Sequence, residues 1–359
     1  MLSRLRGFAR RHRYKLLAVG ALGGAAYLLQ WYATRRLRDW GERETHRMLE
    51  KVKKQAHFES TRATCTSSLG QLAPRLLSQL TRVLDSDSLL EALRAGAPDK
   101  LQVWQQLKRL ALQRVVTAVY GAAYLVVLLE VHVHALGGCL YVDSVRRLLA
   151  EPGADAEAAA LDESAQERYL AGVEHLLTAG LERLSADLAP LLAPLADRLA
   201  LTDKLGLDGV EALLGWARSA VRQRPEIRLS RYAYPESGAA HSGAAEPAGG
   251  RVAQLAAETR DLVDNPETEE LVAECVQAGL AHVLDQMVGA FSGQGGGSEG
   301  FVPPSAATLP VAKLVPALTN LPHTLLRSGP DSLVWMLSNH SKVQVLAANV
   351  YESFSEVTS

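Results

Sequence analysis

Histidine and cysteine are the residue types in this chain that could bind a metal or act as nucleophiles. His132 and His134 are two positions apart, and on a helix that spacing turns their rings to different faces, with no third ligand nearby in the sequence. The three cysteines, Cys65, Cys139 and Cys275, are far apart and odd in number. We therefore expect no disulfide framework, no metal site and no cofactor, and the apolar neighbours of Cys139 and Cys275 predict buried, unreactive thiols.

Other patterns that resemble catalytic motifs have simpler explanations. Gly295, Gly297 and Gly300 have the spacing of a dinucleotide fingerprint, but no predicted strand precedes them and they lie in a low-complexity segment. Acidic pairs such as Glu269 and Glu270 are typical of a solvated helix face. The sequence contains no serine-nucleophile elbow, phosphate-binding loop or HExxH pattern. A tethered enzyme would need a convergent polar constellation in the apolar core, and the sequence predicts none, so we expect no small-molecule substrate.

One helix face is a candidate for binding a partner. From Lys100, the residues Trp104, Leu107, Lys108 and Ala111 recur at helical spacing and lie along one side. This face could be the edge of a core. Alternatively, it could be an exposed apolar anchor with a basic rim, which suits a partner helix that carries acids beside its apolar stripe. The residues of the face alone leave both interpretations open.

Length and composition limit the classes of protein to which the chain can belong. It has 359 residues, of which 48% are hydrophobic and 21% charged, and its net charge is -1. These values are normal for a globular protein with a substantial core, so they argue against wholesale disorder and against a polytopic membrane protein. The near-zero net charge gives no general attraction to nucleic acid.

A membrane anchor is predicted near the N-terminus. Residues 1–15 contain six basic side chains and no acid, residues 16–33 carry no charge, and three arginines follow at 35, 36 and 38. As a helix, the charge-free segment would span about 27 Å, close to the thickness of the bilayer hydrocarbon. A cleaved signal peptide and a buried helix are the alternatives, which the length of the segment and its basic flanks disfavour. Charge does not fix the orientation, because both flanks are basic.

Helical periodicity predicts an all-α, elongated multi-helix bundle over residues 34–359. Its most apolar stretch, Val115 to Leu129, is short for a membrane span and predicts a buried central helix. A hairpin half-inserted in the membrane is the alternative. Gly137 and Gly138 are expected to end this helix.

Several breaks are expected in the rest of the bundle. Asp99 is predicted to cap the helix that begins at Lys100, with Gln102 at the capping-box position. Pro190 and Pro194 are expected to kink or split a later helix. Flexible loops are predicted near residues 151–165, 225–250 and 293–305.

Many short motifs, in order and at nearly constant spacing, resemble the peroxin-3 family of peroxisomal membrane proteins. No single tetrapeptide is specific, but the resemblance covers nearly the whole chain. The matching motifs are the MLxR start, Leu22 to Ala25, GERE at 41–44, HFES at 57–60, Cys65, SxSL at 86–89, KLxxW at 100–104, VVLL at 126–129, GGxxYxD at 137–143, YLxxxxHLL from Tyr169, ETRD at 258–261, LPxAK at 309–313 and AANVYExFS at 347–355.

The resemblance implies docking without catalysis. It implies a single-pass protein of the peroxisomal membrane, possibly routed through the endoplasmic reticulum, whose helical domain faces the cytosol. There it would receive peroxin-19, the soluble import receptor for peroxisomal membrane proteins, whose N-terminal amphipathic helix would lie in a membrane-distal groove. The family's groove residues correspond here to Leu93, Lys100, Trp104, Leu107, Leu140, Pro310 and Lys313. The alternative function is a membrane-tethered structural adaptor that has no peptide-binding groove.

Overall fold

The computed structural model describes residues 13–96, 98–149, 161, 163–235, 250–292, 307–329 and 331–356, with side chains from Met48 onward. The first twelve residues of the predicted basic segment lie outside the described part of the chain. Most of the predicted loops at 151–165 and 225–250, and all of the loop at 293–305, also lie outside it. The start of the second loop is described, and it contains a short helix at residues 229–233.

The described residues are helical almost throughout, which confirms the predicted all-α class. The helices are α1 (Arg13–Val83), α2 (Asp87–Arg94), α3 (Lys100–Leu149), α4 (Glu163–His175), α5 (Leu181–Asp197), α6 (Leu207–Arg222), α7 (Leu229–Ala233), α8 (Arg251–Val263), α9 (Pro266–Ser292), α10 (Val311–Leu325), α11 (Leu333–Ser338) and α12 (Ser341–Phe354). A π-helical turn, Leu176–Gly180, lies between α4 and α5. The two-residue strands β1 (Lys204–Leu205) and β2 (Leu309–Pro310) pair antiparallel.

The chain divides into two compact units, Met1–His57 and Phe58–Ser359. The first unit contains the initial part of α1, and the predicted anchor at residues 16–33 is helical there. Near its end, the side chains of Met48, Leu49 and Val52 are exposed. The second unit contains the rest of α1 and all the other elements.

Helix α3 is the centre of the second unit. Every residue from Val115 to Leu129 is buried, which confirms the predicted central helix. This helix is long and apolar enough to cross a membrane, yet 78% of its most apolar window is buried within the bundle. Its packing partners include α5, α9, α10, α11 and α12. Burying each valine or leucine contributes about 1.5–3 kcal/mol, so this helix supplies much of the hydrophobic stabilisation.

The prediction that Gly137 and Gly138 end the central helix is wrong. Helix α3 continues through both glycines to Leu149. A Cβ atom at Gly137 would lie 2.6 Å from Cγ2 of Thr61, and one at Gly138 would lie 2.8 Å from Cβ of Phe354. The two glycines therefore let α1 and α12 approach the backbone of α3 closely, and they do not terminate it.

Pro190 and Pro194, predicted to kink or split a helix, do not split it, because α5 runs through both of them. The irregular turn lies earlier, at Leu176–Gly180, where a π-helical turn joins α4 to α5. Gly180 faces the backbone carbonyl of Tyr232, and a Cβ atom there would overlap that oxygen. Tyr232 is fully buried and its hydroxyl donates to Asp187 at 2.9 Å, so its backbone has little freedom to move away.

Substituting Gly180 by alanine should therefore destabilise the second unit. Overpacking of this kind typically costs about 1–3 kcal/mol, and a clash with backbone favours the upper end. Gly215 is the matched control, because it lies inside α6 with no atom near its potential Cβ. Gly215→Ala should stabilise by about 0.5–1 kcal/mol through helix propensity. Thermal unfolding of both variants in detergent tests this prediction, and equal melting temperatures would contradict it.

Candidate partner-binding site

The N-terminal end of α3 is fixed by its cap. The backbone N–H of Gln102 donates to Oδ1 of Asp99 at 3.0 Å, which confirms Asp99 as the predicted cap. Lys100 and Leu101 follow at the surface, and Leu101 is 65% exposed. Trp104 is half-buried and packs its inner side against the core. The cap therefore presents a large aromatic side chain at the boundary between core and solvent.

The predicted face of α3 changes from surface to core within three turns. Leu107 and Ala111 are fully buried. Lys108 is also buried, and its ammonium donates to the backbone carbonyl of Leu199. Burial lowers the pKa of Lys108, while the nearby Asp197 carboxylate opposes that effect. Leu107, one of the predicted groove residues, is therefore part of the core in the free chain.

Helix α2 packs against α3 and is held by a buried arginine. Arg114 of α3 donates from Nη1 to the carbonyl of Leu84 and to Oγ of Ser86, both at 2.7 Å. Burial lowers the pKa of Arg114, although the acids Asp87 and Asp85 oppose the shift. The arginine thus fixes the turn from which α2 begins. No residue of α2 is fully buried, but Leu89, Leu90 and Leu93 are half-buried against the core.

Pro310 and Lys313 lie at the same end of the bundle as Trp104. The N–H groups of Val311 and Ala312 donate to the carbonyls of Asp203 and Leu201, at 2.9 and 3.0 Å. The loop that contains Leu201 and Asp203 begins at Leu199, whose carbonyl accepts the hydrogen bond from Lys108 of α3. Pro310 is half-buried and Lys313 is exposed. The loop at 199–205 therefore ties these two residues to the N-terminal part of α3.

Leu140 does not belong to this surface. It is half-buried on α3, 36 residues beyond Trp104 on one continuous helix, so the two side chains are separated by about 54 Å. It lies towards the end of the bundle where Phe58, the first residue of the unit, contacts His134. The prediction of a single groove that includes Leu140 is therefore corrected. We call the remaining exposed and half-buried set, Leu93, Lys100, Trp104, Pro310 and Lys313, the Trp104 surface.

The Trp104 surface has the chemistry to bury an apolar stripe. A half-buried indole offers a large rigid apolar area without exposing a wide hydrophobic patch in the free protein. Lys100 and Lys313, at the same end of the bundle, are exposed and carry positive charge. Charges at such a rim act mainly on the rate of association and on specificity.

A second cleft, which the sequence analysis did not predict, lies between α9 and α12. Its volume is about 390 Å³, and its lining includes Val345, Glu267, Glu270 and Glu274. The glutamates recur at i, i+3 and i+7, a signal that was available in the sequence. Lys342 pairs with Glu274 at 2.5 Å, which leaves the lining acidic overall. Such a cleft repels a partner helix that carries acids.

Glu269, the neighbour of Glu270, is not part of a solvated face. Its Oε1 accepts a hydrogen bond from the backbone N–H of Leu229 at 2.9 Å, at the start of α7. Burial raises the pKa of Glu269, and the bond from Leu229 partly offsets that effect. This carboxylate therefore caps a short helix, and the earlier interpretation of the acidic pair applies only to Glu270.

Comparison with known proteins shows a match over nearly the whole chain. The model of the Peroxin-3 family matches residues 7–99 and 97–353. Peroxisomal biogenesis factor 3 of Rattus norvegicus is 29% identical over 372 residues, which covers 99% of this chain and 98% of the relative. The protein of the same name from Homo sapiens is 29% identical over 373 residues, with the same coverage. Peroxisome biogenesis protein 3-2 of Arabidopsis thaliana is 31% identical over 198 residues, or 51% of this chain and 54% of the relative.

Proposed function

This chain belongs to the peroxin-3 family and has a role in peroxisome biogenesis, and from that premise we propose that it is a docking receptor for peroxin-19. The N-terminal amphipathic helix of peroxin-19 would bind at the Trp104 surface. Docking would deliver newly made membrane proteins for insertion into the peroxisomal membrane. The proposed receptor is a single-pass protein whose helical domain faces the cytosol, and it acts without catalysis.

The observation that carries this proposal is the environment of Trp104. Its indole is half-buried at the capped end of α3, and Lys100 and Lys313 are exposed at the same end of the bundle. An apolar anchor with a basic rim is complementary to a helix that has an apolar stripe and flanking acids. The acidic cleft between α9 and α12 has the wrong charge for such a helix. Charge therefore favours the Trp104 surface over the acidic cleft as the binding site.

Direct titration tests the proposal. A peptide of the peroxin-19 N-terminal helix is titrated into the detergent-solubilised full chain, and a peptide of the same composition in scrambled order serves as control. We expect saturable binding of the native peptide alone, and weaker binding as salt is raised, because charges at the rim are screened. If neither peptide binds, the chain is better described as a structural adaptor without a peptide-binding surface.

The anchor gives a separate prediction about the membrane. Arginine at both Gly23 and Ala25 would put two charges into the charge-free segment at residues 16–33. Each charge near the centre of a membrane helix costs about 2.5–3.5 kcal/mol of insertion free energy. The double variant should therefore be released from membranes by alkaline carbonate, whereas the wild type should stay in the pellet. If the variant also stays in the pellet, another segment anchors the chain.

A further inference from the structure

A fully enclosed polar cluster joins α1 to α3. It consists of Cys65 on α1 with Glu130 and His134, which are four positions apart on one face of α3. All three residues are buried, and their candidate ligand atoms lie within 4.8 Å of one another. Thiolate, imidazole and carboxylate are the three side-chain groups that bind zinc in proteins. Because Glu130 and His134 are at positions i and i+4, the carboxylate and the imidazole lie near one point. Cys65 approaches that point from the neighbouring helix.

The charges of this cluster are not balanced by the protein. Nδ1 of His134 lies 3.2 Å from Oε2 of Glu130 and 2.9 Å from the Glu130 carbonyl oxygen. Nε2 of His134 is buried without a hydrogen-bond partner among the described residues. The Cys65 thiol also hydrogen-bonds to Glu130, and among the described residues no lysine or arginine side chain pairs with this carboxyl group. When ionised, Glu130 therefore lacks a full countercharge, and a buried charge without one is costly.

We propose that Cys65, Glu130 and His134 bind one Zn²⁺ ion, with a water molecule as fourth ligand. A thiolate, a carboxylate and a neutral imidazole carry two negative charges in total, so a divalent cation makes the buried cluster neutral. A ligand set that includes thiolate and imidazole selects zinc over the hard cations magnesium and calcium. The earlier expectation of no metal site considered the spacing of the histidines, and it did not consider the pair formed by Glu130 and His134.

Zinc binding would release the proton of the Cys65 thiol. Without a cation, burial raises the pKa of the Cys65 thiol, and the nearby Glu130 raises it further, so the thiol is protonated at neutral pH. On binding, the S–H bond is replaced by an S–Zn bond and the proton leaves to solvent. The apparent affinity for zinc should therefore rise with pH.

The ion would act as a structural link between two helices. Phe58 packs on both His134 and Tyr351, with ring centroids 5.5 and 5.2 Å apart. The cluster therefore lies just inside the point where the chain enters the second unit, and a zinc ion there would tie α1 to the central helix. A ligand that binds only the folded state raises the melting temperature. The proposal does not depend on peroxin-19 binding.

Metal titration of the full chain tests this proposal. The chain is purified in detergent, stripped with a chelator and titrated with Co²⁺, whose thiolate-to-cobalt absorption reports a cysteine ligand, and Zn²⁺ is then added as competitor. We expect one Co²⁺ per chain, a thiolate band, its loss on adding Zn²⁺ and a higher melting temperature with zinc. No bound metal, or bound metal without a thiolate band, would overturn the proposal.

Three variants assign the ligands. Cys65→Ala should lose the thiolate band, whereas Cys275→Ala, which removes an equally buried thiol on α9, should keep it. Glu130→Gln keeps the side-chain volume and removes the charge, so it should weaken Co²⁺ binding by about 10-fold or more. If Cys65→Ala does not fold, the titration of Glu130→Gln with Co²⁺ still tests whether this cluster binds the metal. Unchanged affinity in Glu130→Gln, or a thiolate band that persists in Cys65→Ala, would overturn the assignment.

Discussion

Trp104→Ala is expected to weaken binding of the peroxin-19 N-terminal helix by about 30-fold to 1,000-fold while leaving the chain folded. Truncating a central aromatic anchor typically costs about 2–4 kcal/mol of binding free energy, which corresponds to that range of Kd. The fold should tolerate the change because Trp104 is half-buried in the free protein, and the fully buried Leu107 on the same helix is unchanged. Titration with the peptide and thermal unfolding of the same sample measure both effects.

Trp335→Ala is the matched control for Trp104→Ala. Trp335 is 44% exposed and lines a cleft with Leu69 and Ala73 of α1. Nearby on α1, Leu76 packs beside Gly121 in the middle of α3, about 25 Å along that helix from Trp104. Trp335→Ala should therefore leave the affinity unchanged. Equal affinity of both variants would show that the peptide does not bind at the Trp104 surface. A large drop of the melting temperature in Trp104→Ala alone would assign this side chain to the core.

Ala122→Asp is expected to abolish cooperative folding of the second unit. Ala122 is fully buried at the centre of α3, and the structure offers no space for a solvated carboxylate there. An unpaired buried charge costs about 3–5 kcal/mol or more, a large part of the 5–15 kcal/mol that stabilises a typical domain. Near-ultraviolet circular dichroism and thermal unfolding of the full chain in detergent should both show the loss of packed structure.

The control for the core substitution is Gln106→Asp, which introduces the same side chain at an exposed position near the start of α3. It should leave the melting temperature nearly unchanged, because exposed helix substitutions usually change stability by less than about 0.5 kcal/mol. If Ala122→Asp remains folded and monomeric, this segment is not the core of a bundle, and insertion as a membrane hairpin would explain its apolarity better.

The sequence was sufficient to predict the helical class and the central helix, because both depend on local patterns. A run of apolar residues from Val115 to Leu129 needs burial on every side, and helical periodicity does not depend on distant partners. The helix cap at Asp99 was predictable for the same reason, since its acceptor and donor are three residues apart.

The predictions from the sequence failed where the structural role of a residue depends on a partner that is distant along the chain. Gly137 and Gly138 resembled helix terminators, but their role depends on Thr61 and Phe354, which approach from other helices. Lys108 resembled a rim lysine, but it is buried and its ammonium donates a hydrogen bond to the carbonyl of Leu199. Leu140 was assigned by family motif, and only the unbroken course of α3 shows that it lies far from Trp104.

The order of the helices along the chain has a consequence for biosynthesis. Helix α3 packs extensively against α12, the last helix in the described part of the chain, which follows roughly 190 residues later. At about 5–20 residues per second, a ribosome needs about 10–40 s to make the intervening segment. During that interval α3 emerges without α12, although it is apolar enough to enter a membrane. We expect a premature stop codon before Ser341 to be as damaging as a charge in the core, because it would leave this face of α3 uncovered.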